Sequence, residues 1–120
     1  MTGADFGAYS SAMQIIEGAG QWAAPAAGAA NDWAEHFIVP ALSVGTYCIP
    51  AGGVDDQSPH TEDEIYVVTA GQARIVTPQG AAEVGPGSVI FVPAGEEHRF
   101  LDVAEDLVLL VVFGPAYTGG

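Results

Sequence analysis

Residues 87–102 read GSVIFVPAGEEHRFLD, and this stretch decides the class of fold. A short apolar run ends at Pro93, and the turn residues around Gly95 follow it, which is the pattern of a β-strand that enters a tight turn. His98 opens the next apolar run. The stretch therefore predicts two consecutive strands, with an imidazole where the second one begins.

The same texture of short apolar runs and turn residues extends from Glu35 to the C-terminal region. It predicts eight short strands, over residues 36–39, 42–48, 64–69, 72–77, 82–84, 88–92, 98–103 and 107–113. Because no helical segment separates these strands, the pattern favours an all-β fold, either an antiparallel sandwich or a small barrel.

A second informative stretch is residues 57–71, which read QSPHTEDEIYVVTAG. Side chains alternate along a strand, so a strand that starts at Glu64 points Glu64 and Tyr66 to the same face. His60 lies just before this strand, close enough for its side chain and that of Glu64 to bind the same ligand. The neighbouring Glu62 and Asp63 are interpreted as solvated acids.

Together the two stretches resemble the two sequence motifs of the cupin family. The second motif, G-x5-P-x-G-x2-H-x3-N, is matched at Gly87, Pro93, Gly95 and His98, with Asp102 in place of Asn. The first motif is matched at His60, Glu64 and Gly71. The resemblance covers residues 42–113. It implies an antiparallel jelly-roll β-barrel that holds one divalent metal ion through His60, Glu64 and His98.

The chain departs from the first motif at its first histidine, where Ser58 stands. Serine is a poor metal ligand, but the amide oxygen of the adjacent Gln57 is a candidate fourth ligand; the alternative is that Gln57 is a turn residue at the surface. Two imidazoles and one carboxylate suit Fe(II), and Mn, Ni or Zn would also be held. The alternative to a metal centre is a barrel in which the histidines only form hydrogen bonds.

Other residues receive simpler interpretations. Tyr66 shares the face of Glu64, so the two are candidate catalytic residues, and the alternative for Tyr66 is a core tyrosine. His36 and Cys48 match no motif and are interpreted as structural. Gly45 matches the opening glycine of the family and is expected to mark close packing.

The composition excludes several classes of partner. Fifteen acidic residues face two arginines and no lysine, which gives a formal charge of −13. Such a charge repels phosphate backbones and anionic lipids, so neither nucleic acid nor a membrane is an expected partner. A single cysteine excludes an internal disulfide, and we expect a cytoplasmic protein.

Two regions differ in composition. Residues 1–33 are rich in Ala and Gly and are interpreted as an irregular arm with a short helix over residues 10–16, packed through Trp22 and Trp33, while residues 34–120 form the barrel domain. The run LVLLVVF at residues 107–113 is apolar on both faces, so its outer face needs cover from the arm or from a second subunit. We expect a homodimer, with the outward side chains of Ile65, Val67 and the last strand as contacts.

The function that these features favour is an enzyme acting on a small organic molecule at a metal ion, of the oxygenase (for example dioxygenase), isomerase, cyclase or lyase type. The alternative is a cupin module that binds a small molecule or a metal without catalysis. An enzyme should place an additional acid or base beside the metal ligands, whereas a binding module should not.

Overall fold

The computed structural model describes residues 12–119, and in this part of the chain it contains six β-strands and no helix. The strands are β1 (Asp32–Val39), β2 (Leu42–Ile49), β3 (Asp63–Thr77), β4 (Gly80–Val84), β5 (Val89–Val92) and β6 (Arg99–Gly114). The all-β prediction is confirmed. None of the described residues forms a helix that is long and apolar enough to cross a membrane.

Strands β3 and β6 form the spine of the sheet. They pair antiparallel from Asp63 opposite Gly114 to Val76 opposite Arg99. On its other side, β3 pairs with β5 near its start and with β4 near its end, while β6 carries β2 and then β1, giving the order β1-β2-β6-β3-β4. All of these pairings are antiparallel.

The prediction of eight strands was wrong at two places, because β3 and β6 are each continuous where two strands were expected. The register between them shifts around residues 68–74, so the strands bend there and keep pairing. Gly71 has a φ of 93°, and a Cβ at that position would lie 2.4 Å from the carbonyl oxygen of Asp106. Gly71 therefore allows a close backbone approach inside a bent strand, which from sequence alone looks like a turn.

Side chains alternate between the two faces of the strands as the sequence predicts. Glu64 and Tyr66 on β3 are buried, while Ile65 between them is exposed. The inward residues form one core, which includes Tyr47, Ile49, Tyr66, Val68, Phe100, Leu107, Leu109, Val111 and Phe113. Each of the larger ones contributes roughly 1.5–3 kcal/mol by its burial.

Part of the N-terminal segment packs on the outside of the sheet. The amide of Gly20 donates to Thr46 Oγ1 (2.9 Å), its carbonyl accepts from Thr69 Oγ1 (2.8 Å), and the Cys48 thiol lies 3.7 Å from the carbonyl of Gln21. Val108, on the outer face of the adjacent β6, is buried. The segment thus covers the end of the sheet around Cys48 and Val108.

Other features of this segment differ from the expectation. The helix predicted over residues 10–16 lies partly outside the described residues, and residues 12–16 are not helical. Trp33 belongs to β1 and packs against Phe113 and Tyr117, so it is part of the sheet, while Trp22 is 40% exposed.

The rest of the outer face is apolar and only partly buried in the described part of the chain. Pairing aligns one row of residues across five strands and a second row beside it. These rows, which we call the outer apolar face, are Phe37, Val44, Val112, Ile65 and Phe91, and then Leu110, Val67 and Val89. The two residues from β5 are the most open, at 61% for Phe91 and 66% for Val89.

Gly45 on β2 makes room for an aromatic side chain. A Cβ at this position would lie 2.2 Å from the indole ring of Trp33, which is on the neighbouring strand β1. The close packing expected at Gly45 is confirmed, and its reason is the indole ring.

We predict that Gly45→Ala displaces Trp33 and lowers the free energy of unfolding by about 1–3 kcal/mol, because overpacking forces side chains from their rotamers. Urea denaturation followed by tryptophan fluorescence measures both effects. Gly114→Ala is the control, since the nearest atom to its added Cβ would lie at 3.7 Å. Equal stability of the two variants would show that the indole does not need this space.

Candidate metal centre

The two sequence motifs meet through backbone contacts. Strand β5 pairs with the start of β3, and the turn that follows β5 folds back over the loop before β3. The amide of Gly95 donates to the carbonyl of His60 (2.7 Å), and the amide of Ala94 donates to Asp63 Oδ1 (2.9 Å). Asp63 is therefore an exposed residue that accepts a hydrogen bond from this turn. These bonds bring His60 and His98 to the same end of the barrel.

His60, Glu64 and His98 converge on one point inside the barrel. One candidate ligand atom from each residue lies within 4.8 Å of the others. The Nε2 atom of His98 is 3.2 Å from Glu64 Oε1, and the Nε2 atom of His60 is 3.9 Å from Glu64 Oε2. The three residues that the resemblance singles out thus form a cluster compatible with a divalent metal ion.

The ring of His98 is oriented by its other nitrogen. Nδ1 lies 2.9 Å from the carbonyl oxygen of Glu96, to which it donates, so a neutral imidazole presents an unprotonated Nε2 to the cluster. Burial alone would lower the pKa of His98, but the adjacent Glu64 carboxylate and the Glu96 carbonyl outweigh burial and raise that pKa.

Glu64 provides the test of whether these residues fit a metal. Its side chain is 2% exposed, and its Oε1 atom has no hydrogen-bond partner. The 3.2 Å approach of His98 Nε2 to this atom lacks the direction of a hydrogen bond. A buried carboxylate oxygen without a partner is costly, and coordination of a cation would satisfy it. The donor set of two imidazoles and one carboxylate therefore fits a divalent ion.

Gln57 points its amide oxygen into the same cluster. Oε1 is 3.1 Å from His60 Nε2 and 2.9 Å from the hydroxyl of Tyr66. Ser58 is exposed. The orientation of the amide follows from Asp55: an ionised carboxylate only accepts, so the Gln57 Nε2 that lies 2.8 Å from it must be the NH2 group.

Asp55, which sequence reasoning missed, organises this end of the barrel. Its carboxylate is 1% exposed and accepts four hydrogen bonds. The donors are the Tyr47 hydroxyl, the backbone and side-chain amides of Gln57, and the backbone amide of Phe100. Burial and then Asp55 raise the pKa of Tyr47, so its hydroxyl remains a donor. The only sequence signal was an acid two residues before Gln57, in a loop with no motif.

Tyr66 adds a hydroxyl to the cluster. The hydroxyl lies 2.8 Å from His98 Nε2 and 2.9 Å from Gln57 Oε1, and the side chain is fully buried. Burial, followed by the charge of Glu64, raises the pKa of Tyr66 well above its ordinary value. The protonated hydroxyl has one hydrogen to share between two acceptors.

An aromatic-lined cavity opens beside these residues, and we call it the chamber. Its volume is about 170 Å³. Six rings line it, from Trp33, Tyr47, His60, Tyr66, Phe113 and Tyr117. Polar lining comes from Asp56, Gln57 and Glu64. Sequence reasoning missed Trp33, Phe113 and Tyr117, because no motif marks them.

Glu62 fixes the segment that carries Tyr117, one wall of the chamber. The interpretation of Glu62 as a solvated acid was therefore wrong. Glu62 is 3% exposed and accepts hydrogen bonds from the amide (3.1 Å) and the hydroxyl (2.8 Å) of Thr118. The amide of Tyr117 donates to Ser43 Oγ (2.8 Å). The Tyr117 ring stacks on Phe113, with centroids 4.6 Å apart.

The remaining candidates lie outside the cluster, as the sequence indicated. His36 Nε2 is 2.6 Å from Thr46 Oγ1 on the outer side of the sheet. Cys48 is buried, and burial raises the pKa of its thiol.

Comparison with known families agrees with this architecture. The family model of the cupin domain matches residues 45–113, more than half of the chain. The chain belongs to the cupin family. A relative of this cupin, the Streptomyces coelicolor protein SCO3923, is 45% identical over 89 residues, which cover 72% of this chain and 85% of that protein.

Solved structures share the fold of this cupin. KdgF from Halomonas sp. superposes with a TM-score of 0.64 at 17% identity, covering 72% of this chain and 79% of its own. The DMSP lyase DddQ from Ruegeria pomeroyi gives 0.67 at 21% identity, with 85% and 54% covered. The polyketide cyclase RemF from Streptomyces resistomycificus gives 0.64 at 22% identity, with 74% and 68% covered. These likenesses confirm the antiparallel jelly-roll barrel.

We predict that Asp55→Asn lowers the free energy of unfolding by roughly 2–4 kcal/mol, because an amide accepts fewer hydrogen bonds and directs an NH2 group at buried donors. Urea denaturation measures the loss. Asp56→Asn is the matched control, since Asp56 is exposed and its one described hydrogen bond, to Asn31, also lies at the surface. A variant at position 55 as stable as the control would contradict the organising role of Asp55.

Proposed function

We propose that this cupin is an enzyme that binds one divalent metal ion and acts on a small organic molecule in the chamber. The observation that carries the proposal is the position of the His60, Glu64 and His98 ligand atoms, within 4.8 Å of one another, beside an aromatic-lined cavity. The ion would be held by these three residues, with Gln57 Oε1 as the fourth ligand. Fe(II), Mn, Ni and Zn are all compatible with this set.

The bound ion would supply a Lewis acid next to the chamber. The protein supplies the rest. The apolar walls exclude water, and Tyr66 places an O–H group beside His98 and Gln57, where it can donate a hydrogen bond or a proton to a bound molecule. The buried carboxylate of Glu64 would attract the metal ion and so fix its position in the site.

Tyr66 favours an enzyme over a binding module. An enzyme needs an acid or base beside the metal ligands in addition to the ligands themselves, and the hydroxyl of Tyr66 meets this requirement. Two structural neighbours are named as a lyase and as a cyclase, which supports chemistry on a small molecule in a barrel of this shape. We propose reactions of the lyase, cyclase, isomerase or dioxygenase type for this chain.

We predict that His98→Ala and Glu64→Gln abolish metal retention, because each removes a ligand from the cluster. Elemental analysis of protein purified without added metal, and then after reloading with Fe(II), Mn, Ni or Zn, measures retention. His36→Ala is the control, since His36 binds Thr46 outside the cluster. If the two cluster variants retained as much metal as the control, the proposed site would be wrong.

Gln57 is tested separately. Gln57→Ala should weaken metal affinity at least tenfold, on the order of the losses seen when ligand-supporting groups are removed. Ser58→Ala, at the adjacent exposed position, should leave affinity unchanged. Unchanged metal affinity in Gln57→Ala would indicate that Gln57 is a turn residue and not a metal ligand.

We also propose a homodimer that forms through the outer apolar face. The N-terminal segment covers the neighbouring part of the sheet, around Cys48, while Ile65, Val89 and Phe91 of this face are exposed. Contiguous apolar patches above a few hundred Å² are uncommon on monomers, and a two-fold axis would cover the face with its own copy.

Light scattering at micromolar concentration and moderate salt should give the mass of a dimer. Phe91→Glu should shift the mass to that of a monomer, because it places a charge within the apolar contact. Val54→Glu is the control, since Val54 is equally open but lies in a loop before β3. A monomeric mass for the unmodified protein would mean that the chain covers this face itself.

A further inference from the structure

We propose that the chamber is a binding site for a small organic cation, such as a quaternary ammonium group, recognised by aromatic rings within a ring of carboxylates. This inference rests on the proposed function in one respect, because it names the class of substrate for the same site. Four features of the chamber support it: the arrangement of its rings, the sign of the surrounding charge, the absence of lysine and arginine from its walls, and its size.

The rings form a corner. Trp33 stands nearly perpendicular to Phe113 (72°) and to Tyr117 (78°), with ring centroids 6.1 and 5.8 Å away. The rings of Tyr47 and Tyr66 line the same cavity from β2 and β3. Aromatic rings attract cations through the negative potential of their faces, and sets of such rings recognise quaternary ammonium groups.

The charge around the chamber is negative. Asp56 and Glu64 line it, and the buried Asp55 lies directly behind Tyr47. On the opposite side, Glu62 accepts hydrogen bonds from Thr118, next to Tyr117, and after the effect of burial the charges of Glu62, Glu64 and Glu35 raise the pKa of Tyr117. Five carboxylates outweigh the two positive charges that a divalent ion would add.

No lysine or arginine is among the residues that line the chamber. The chain has no lysine and only two arginines. Arg74 is exposed and pairs with Asp102 at 3.4 Å, and Arg99 is exposed at the start of β6. An anionic ligand would therefore find only the metal ion to neutralise it, whereas a cation is favoured by both the walls and the whole-protein charge of −13.

The size of the chamber limits the ligand. Its volume of about 170 Å³ is close to that of a cavity of about 150 Å³ that holds benzene. A trialkylammonium head group with a short chain fits this space. The size of the chamber therefore agrees with a small cationic head group.

The decisive experiment compares choline with 3,3-dimethylbutan-1-ol, which has the same shape but carries carbon in place of the ammonium nitrogen. Isothermal titration of the full chain, as purified and after chelation, measures both affinities. We expect choline to bind at least tenfold more tightly than its neutral analogue, and benzoate to bind more weakly than choline. Equal affinities for choline and the alcohol, tighter binding of benzoate, or no binding of choline would each overturn the inference.

Variants test the two sources of recognition. Trp33→Leu should reduce choline affinity about tenfold, while Trp22→Leu, an exposed tryptophan outside the chamber, should leave it unchanged. Asp56→Asn should weaken choline binding severalfold without affecting the alcohol, and Glu83→Gln, the same loss of charge on β4, should change neither. Thermal melting of each variant confirms folding. Unchanged choline affinity in both Trp33→Leu and Asp56→Asn would contradict the chamber as the site.

The metal content of the same samples separates this inference from the proposed function. Protein that retains metal but does not prefer choline refutes the cationic substrate alone. Protein that prefers choline but retains no metal refutes the metal enzyme and leaves the cation site standing.

Discussion

The pairing of β3 with β6 is the constraint on which the rest of this cupin depends. It places Glu64 opposite Phe113 and Tyr66 opposite Val111, so that the metal cluster and the chamber share one face of one ladder. The same strand, β3, carries β5 on its other side, and β5 leads into the turn that returns His98 to the cluster. Because side chains alternate, a slip of one residue in this register would turn Glu64 and Tyr66 to the outside.

Sequence reasoning found the parts of the site that local patterns encode. The alternation around Glu64 and the two motif histidines follow from short-range spacing, and the structure brings them together. It missed the partners that distant segments supply. Asp55 is buried because Phe100, 45 residues away, donates to it, and Glu62 is buried because Thr118, 56 residues away, does so.

The strand count failed for a related reason. A glycine with a positive φ marks a turn in one context and a bulge in another, and the signal in residues 70–71 is the same for both. Only the partner strand decides between them. In this chain β6 continues to pair past Gly71, so the backbone bends where the sequence indicated an end.

The interior holds three carboxylates, and neither arginine of the described residues is buried beside them. Asp55 and the Oε2 atom of Glu62 are satisfied by hydroxyl and amide donors, which requires that several groups converge on each of them. Such convergence orders the loop before β3 and the segment after β6 as well as the carboxylates themselves. Glu62 and Glu64 each keep an Oε1 atom without a hydrogen-bond partner, and it is Glu64 that lies beside His60 and His98.

Because of its position, Cys48 can serve as a chemical reporter of the contact between the N-terminal segment and the sheet. The sequence contains one cysteine and no lysine, so a thiol reagent has a single target. That thiol lies under the backbone of Gln21, and its raised pKa further slows alkylation. Its rate of modification in the folded protein therefore measures how often residues 20–23 lift from the sheet, independently of any ligand in the barrel.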